Sequence, residues 1–202
     1  MNNNLLKQLM IATGFALFGT TAWAETEVYG IDNAHSFANW TLRHVVAKTS
    51  GTFTDIKGKV VIDRADLSKS SVDAKINVLS VSSNHAKRDD HIKKEDYLDA
   101  GRFSEMRFVS TKVEAKSLTE GVLTGQFTMH GVTREISFPF RVLGFGQDPW
   151  GGQRIGIEAH TTLQASDYGF TWPLKPNAPV GDTIAITLLI EGVKNSPDYK
   201  PW

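Results

Sequence analysis

Apolar and polar residues alternate with a period of two through most of this chain, and this feature constrains its fold more than any other. Between Val72 and Val78, valine, alanine and isoleucine alternate with aspartate, lysine and asparagine. Such alternation is typical of a β-strand with one buried and one solvated face. Similar segments occupy residues 34–46, 52–62, 106–113, 122–129, 132–142, 155–163 and 184–190. We therefore expect about eight strands.

Short glycine-containing connections separate the later segments, which favours antiparallel pairing between neighbours in the sequence. A twisted sheet of this many strands must close on itself or fold over to hide its apolar face. The pattern alone thus predicts an all-β fold, either a barrel or a flattened sandwich.

One segment, residues 84–98, departs from the strand pattern. Asn84 is a suitable N-cap, two aspartates precede two lysines by four residues, and no glycine or proline interrupts the run. The charge of this segment opposes its burial. We predict one inserted helix near residues 84–98, lying near a mouth if the sheet closes into a barrel.

Residues 1–24 have the features of a cleaved signal peptide. Lys7 precedes an apolar run from Leu9 to Gly19, and Ala22-Trp23-Ala24 places small residues at the cleavage site. The chain has no cysteine for a disulfide or a lipid anchor, and no later apolar run is long enough to span a bilayer. We expect export, cleavage after Ala24, no stable membrane anchor, and a single domain over residues 25–202.

Charge and motifs argue against several classes of function. The 22 basic and 22 acidic residues balance, and no basic stripe indicates nucleic acid or an anionic membrane as a partner. The six histidines are not spaced to share a site, and no nucleophile elbow, Walker loop, dinucleotide fingerprint or zincin motif is present. We expect no catalytic residues, no metal, no cofactor and no nucleic acid partner.

Bulky rings are unusually frequent among the apolar residues. The chain contains 11 phenylalanines and 5 tryptophans, and several of them stand near glycine or alanine. These pairs fit a solid core of large and small residues, but they equally fit a cavity. Barrels of eight strands can be filled by side chains or can hold one small ligand, so the pattern leaves both possibilities open.

Five short motifs resemble the signatures of the YceI family. In chain order they are Ile31-Asp32-Asn33-Ala34-His35-Ser36, Gly51-Thr52-Phe53, Arg88-Asp89-Asp90-His91-Ile92, Arg107-Phe108-Val109-Ser110-Thr111 and Met129-His130-Gly131-Val132-Thr133. The resemblance implies an extended, lipocalin-like antiparallel β-barrel located in the periplasm. It also implies that a long isoprenoid or other amphiphilic lipid binds in an interior tunnel.

On that basis we predict which residues contact the ligand. The predicted wall comprises Phe37, Trp40, Ile76, Val78, Phe108, Phe127, Phe138, Ile157 and Phe170. Arg88, Asp89 and His91 are predicted to contact a polar head group at the mouth, with a structural brace between helix and rim as the alternative. Two rival functions remain: an enzyme or redox helper acting on a quinone or lipid, and a structural barrel that binds a protein. A monomer or homodimer is expected.

Overall fold

The structure, a computed structural model, describes residues 26–194, so the predicted signal peptide lies outside the described residues. Within that range the chain forms one sheet of eleven strands and one α-helix. The strands are β1 (Glu27–Ile31), β2 (Phe37–His44), β3 (Ala47–Phe53), β4 (Ile56–Ile62), β5 (Ser71–Asn77), β6 (Val81–Ser82), β7 (Glu105–Ala115), β8 (Glu120–Met129), β9 (Val132–Gln147), β10 (Gln153–Gln164) and β11 (Val180–Lys194). The helix, α1, spans Ala86–Ile92.

These strands close into a barrel with eight strand positions. The last strand, β11, pairs with β10 along one side, and with both β2 and β1 along the other. β3 and β4 pair with β2 and β1 respectively, and β6 and β5 pair with β3 and β4. Three pairs of short strands therefore fill three positions, and β7 to β11 fill five. The predicted antiparallel barrel is confirmed.

Side chains satisfy the backbone where the short strands are interrupted. Between β1 and β2, the Asn33 amide oxygen accepts a hydrogen bond from the Ile56 backbone N–H at 2.6 Å. Between β5 and β6, the Ser80 hydroxyl oxygen accepts hydrogen bonds from the backbone N–H groups of Thr54 and Asp55 at 3.2 and 3.1 Å. Buried backbone groups need such partners, so these polar residues let three strands bend without losing closure.

The connections divide between two ends of the barrel. The β2–β3 hairpin, the segment between β6 and β7, the β8–β9 turn and residues 165–179 lie at one end, which we call the upper end. Residues 63–70, the β7–β8 turn and the β9–β10 turn lie at the lower end. The helix thus sits at the upper mouth.

The helix is shorter than the predicted span of residues 84–98. Asn84 has a positive φ of 60° and is not the N-cap, a role taken by His85. After Ile92 the chain turns back, and the Leu98 N–H donates to the Ile92 carbonyl at 2.9 Å. This turn lets Leu98 pack against the core, so tertiary contacts outweigh helix propensity. No helix within residues 26–194 has the length and apolar character to cross a membrane.

Candidate functional site

A cavity of about 420 Å³ runs inside the barrel. At the upper end it is lined by His44 and Trp172, and at the lower end by Ile62 and Val72. Most of the side chains between them are aliphatic or aromatic, with few polar groups such as Thr161. The barrel therefore encloses an apolar tunnel, of the size that proteins use for small ligands.

Aromatic rings that lie over glycines keep this tunnel open. A Cβ atom added at Gly125 would come within 2.5 Å of the Phe108 ring, and one added at Gly51 within 2.3 Å of the Trp40 ring. The three pairs are Trp40 on Gly51, Phe108 on Gly125 and Phe140 on Gly121. Because glycine has no side chain, each ring can lie flat against the sheet in the space next to it. Large residues therefore cover the inner face of the sheet without filling the lumen. The alternative of a solid core is thereby excluded.

Most of the predicted wall residues line the tunnel. Those that do are Trp40, Ile76, Phe108, Phe127, Phe138, Ile157 and Phe170. They come from β2, β5, β7, β8, β9, β10 and the segment after β10, so the wall is assembled from nearly every strand position. That they contact a ligand stays a prediction.

Two predicted wall residues do not line the tunnel. Phe37 is three residues from Trp40 on the same strand, so alternation places it on the outer face, where it is 39% exposed. Val78 is buried, but it begins the 3₁₀ helix Val78–Ser80, where the strand alternation that suggested its direction no longer applies. The structure therefore does not place either residue on the tunnel wall.

At the mouth, Arg88 and Asp89 both bind Ser83, which follows β6. The Arg88 guanidinium donates to the Ser83 hydroxyl oxygen at 2.7 Å and to its carbonyl at 2.6 Å. The Asp89 carboxylate accepts from the Ser83 backbone N–H at 2.8 Å and from the Ser83 hydroxyl. Arg88 also lines the tunnel, whereas Asp89 does not. These contacts fit the structural brace that was the alternative, and contact of Arg88 or Asp89 with a head group stays a prediction.

His91 lines the tunnel mouth together with an aromatic group. Its ring packs edge-on against Tyr97 at 4.8 Å between centroids, and Tyr97 lies 5.2 Å from Trp172. Burial, with a smaller contribution from Asp96, raises the pKa of Tyr97, so its hydroxyl stays neutral. The mouth therefore combines a cation, a histidine and a neutral phenol above an apolar channel.

Three buried hydrogen-bonding atoms in the upper core have no partner among residues 26–194. They are the indole Nε1 atoms of Trp40 and Trp172 and the hydroxyl of Tyr168. Both tryptophans line the tunnel and are less than a tenth exposed. An indole N–H can only donate, so these two buried donors are unpaired among the described residues.

Sequence reasoning missed several residues of the tunnel. His44 has the same strand parity as Trp40, so the alternation that identified Trp40 also indicated His44. Trp172 begins the short 3₁₀ helix Trp172–Leu174 and Tyr97 lies in a turn, so strand alternation does not show which way either side chain points. Only the folded chain could identify those two.

Comparison with known proteins identifies the family. The family model for the YceI-like domain matches residues 29–192. A UPF0312 protein of Shewanella sp. (strain MR-7) is 38% identical over 93% of this chain and 98% of its own length. A UPF0312 protein of Ectopseudomonas mendocina is 35% identical over 96% of this chain and all of its own. The chain belongs to the YceI family.

Solved structures show that this YceI-family chain has the same fold as distant relatives. Burkholderia cenocepacia BcnA gives a TM-score of 0.71 at 21% identity, covering 80% of this chain and 98% of that one. A polyisoprenoid binding domain from Saccharophagus degradans gives 0.62 at 15% identity, covering 82% and 98%. The resemblance and the barrel are thus both confirmed.

Two residues of the first YceI motif, Asp32 and His35, belong to a charged cluster outside the tunnel. We call it the Asp32 cluster; it comprises Asp32, His35, Asp148, Arg154 and Glu191. The Arg154 guanidinium lies 2.7 Å from one oxygen of the fully buried Asp32 and also pairs with Glu191 and Asp148. Candidate metal-ligand atoms of Asp32, His35 and Glu191 lie within 4.8 Å of one another. Because Arg154 already donates to both carboxylates of this group, a cation would compete with its guanidinium, and the cluster fits an architectural role.

Proposed function

We propose that this YceI-family protein binds a long isoprenoid or another amphiphilic lipid inside the barrel. The observation that carries the proposal is the continuous apolar tunnel, lined from His44 at one end to Val72 at the other. A relative in fold is described as a polyisoprenoid binding domain, which supports this class of ligand.

Burial of the ligand's apolar tail supplies the driving force. Each CH₂ group removed from water contributes about 0.8 kcal/mol, so a chain of several prenyl units supplies more than roughly 10 kcal/mol before the costs of ordering. The aromatic and aliphatic wall gives no directional preference along the chain. Specificity for a particular lipid has to come from the polar groups at the upper end.

Export to the periplasm is part of the proposal. It rests on the predicted signal peptide, residues 1–24, and on the family resemblance. Intact mass of the protein in a periplasmic extract tests it, and we expect a chain that starts at Glu25. Recovery of the uncleaved chain in the cytoplasmic fraction would contradict export.

Native mass spectrometry after mild purification, followed by lipid extraction, tests the binding function. We expect a bound prenyl or acyl species that leaves with detergent and is recovered chemically unchanged after prolonged incubation with the protein. Conversion of that species would instead support the enzyme or redox helper. An empty protein that also fails to take up added prenyl alcohol would contradict lipid binding.

A further inference from the structure

Exposed apolar and cationic residues surround one side of the tunnel mouth. We call this surface the lip; it comprises Arg43, Val45, Val46, Lys48, Leu174 and Lys175. Val46 is 97% exposed, Leu174 69% and Val45 53%. The apolar residues sit at the tips of two neighbouring segments, so they project from the upper end and do not cover a core.

Hydrogen bonds join these two segments into one surface. The Val45 backbone N–H donates to the Pro179 carbonyl at 2.6 Å. The Arg43 guanidinium donates to the carbonyls of Val45 and Ala178 at 3.1 and 3.0 Å. His44 and Pro179 line the tunnel, so the lip is the rim of its mouth.

The hairpin tip departs from what stability alone would favour. Val45 has a φ of 52°, which is strained for a β-branched residue. Two-residue hairpin loops usually contain asparagine, aspartate or glycine at such positions. Strained residues of this kind persist mainly where a function requires them. Two exposed valines at the tip are therefore difficult to explain by folding alone.

Charge on the lip has one sign. Residues 43–48 and 171–180 contain Arg43, Lys48 and Lys175 but no aspartate or glutamate. Within residues 26–194, none of these three cations forms an ion pair with a carboxylate. Apolar side chains surrounded by unpaired cations match an anionic lipid surface. The apolar side chains can insert into the bilayer, and the cations can bind the lipid head groups.

We propose that the lip docks transiently on an anionic phospholipid bilayer and that the tunnel receives its ligand there. The inference rests on the proposed lipid-binding function, since a lipid with a long tail leaves a membrane slowly through water. Docking places the tunnel mouth against the bilayer, so that the tail passes into the barrel without full exposure to solvent. The small apolar area keeps the contact reversible.

Sedimentation with vesicles of phosphatidylglycerol and phosphatidylethanolamine tests docking, and it does not require the tunnel ligand to be known. The full chain, as recovered from producing cells, should bind these vesicles and bind pure phosphatidylcholine vesicles about tenfold more weakly. Binding should also fall when NaCl rises from about 0.1 M to about 1 M, which shortens the screening length from about 10 Å to about 3 Å.

Variants locate the docking surface. Leu174→Asp, and separately Val45→Asn with Val46→Ser, should each weaken vesicle binding about tenfold while keeping the melting temperature, because asparagine tolerates the positive φ. Leu118→Asp is the matched control, since Leu118 is 65% exposed at the lower end. An equal loss of vesicle binding in the control, or equal binding to anionic and neutral vesicles, would overturn the proposal.

Failure to find a lipid by native mass spectrometry would instead refute the proposed function. Vesicle binding would still be measurable in that case.

Discussion

At the scale of single residues, the tunnel depends on where each aromatic ring lies. Phe108 illustrates this, because its ring rests on Gly125, packs at 5.4 Å from Phe138 and lines the lumen. The outward-facing Phe37 is chemically identical but 39% exposed on the other face of the sheet. The two residues form a matched pair for testing what the inner face does.

Replacing Phe108 by aspartate should abolish lipid binding. A carboxylate on the tunnel wall is either charged without a partner or forced to protonate, at a cost on the order of 3 kcal/mol. Native mass spectrometry of Phe108→Asp and Phe37→Asp checks this prediction. We expect bound lipid in Phe37→Asp only. Retention of lipid by a folded Phe108→Asp would show that this face does not contact the ligand.

Gly125→Ala should narrow the tunnel. The added methyl group would lie 2.5 Å from both the Phe108 ring and the Val109 carbonyl, so the ring must move towards the lumen and the β7 backbone at Val109 must shift. Overpacking of this kind costs about 1–3 kcal/mol. Melting temperature and binding of prenyl alcohols of increasing length measure the two effects. Gly144→Ala is the control, because a Cβ there meets no atom within 4 Å. Equal behaviour of the two variants would contradict the role of the ring–glycine pair.

At the scale of secondary structure elements, α1 is held to the rim by Ser83. Arg88 and Asp89 make four hydrogen bonds to this one serine, which is 7% exposed. His91, one turn further along, lines the mouth without contacting Ser83. The matched motif thus contains two roles, a brace and a residue that faces the mouth.

Substituting these residues one at a time should separate the two roles. Arg88→Ala should cost about 1 kcal/mol, which lowers the melting temperature by about 2–4 °C in a chain of this size, and should weaken all ligands together. His91→Ala should instead change the ratio of affinities for a prenyl alcohol and a prenyl phosphate at nearly constant stability. Competitive binding and thermal melts measure both. The same change of ratio in both variants would assign head-group contact to Arg88 as well.

At the scale of the whole molecule, the Asp32 cluster fastens the barrel where its first and last strands meet. Arg154 on β10 connects Asp32, which follows β1, with Glu191 on β11 and Asp148 in the β9–β10 turn. The hydrogen bond from Arg154 holds the pKa of Asp148 below its usual range, and backbone N–H groups of Gly152 and Trp150 lower it further. The stability of the closed barrel therefore depends in part on pH.

The sign of that dependence follows from the lowered pKa. Asp148 stabilises the fold fully above the pKa of an unfolded aspartate, about 3.9, and this contribution is lost as the pH falls through the lower folded value. Melting temperatures between neutral pH and about pH 2.5 should fall less steeply for Asp148→Asn, which starts from a lower value at neutral pH. The exposed Asp90→Asn should behave as the parent protein does. Parallel curves for Asp148→Asn and the parent would contradict this prediction.

The sequence alone determined the all-β class, the approximate number of strands, the helical insertion and the family. Each of these depends on local periodicity or on motifs, which short stretches of chain carry by themselves. Trp40 and Phe108 were likewise placed on the wall from strand alternation and motif position.

Tertiary structure decided what alternation could not. Alternation puts Phe37 and Trp40 on opposite faces of β2, but only the closed barrel shows which of them faces the lumen. The direction of Val78 depended on a break in the strand, and the length of α1 depended on the packing of Leu98. The open lumen required Gly125 and Phe108, on neighbouring strands, to meet face to face. The cationic lip could not be read as a stripe, because Lys48 and Lys175 lie far apart in the sequence and only barrel closure brings their segments together. Contacts between distant segments are set by the closed sheet, and no local pattern encodes them.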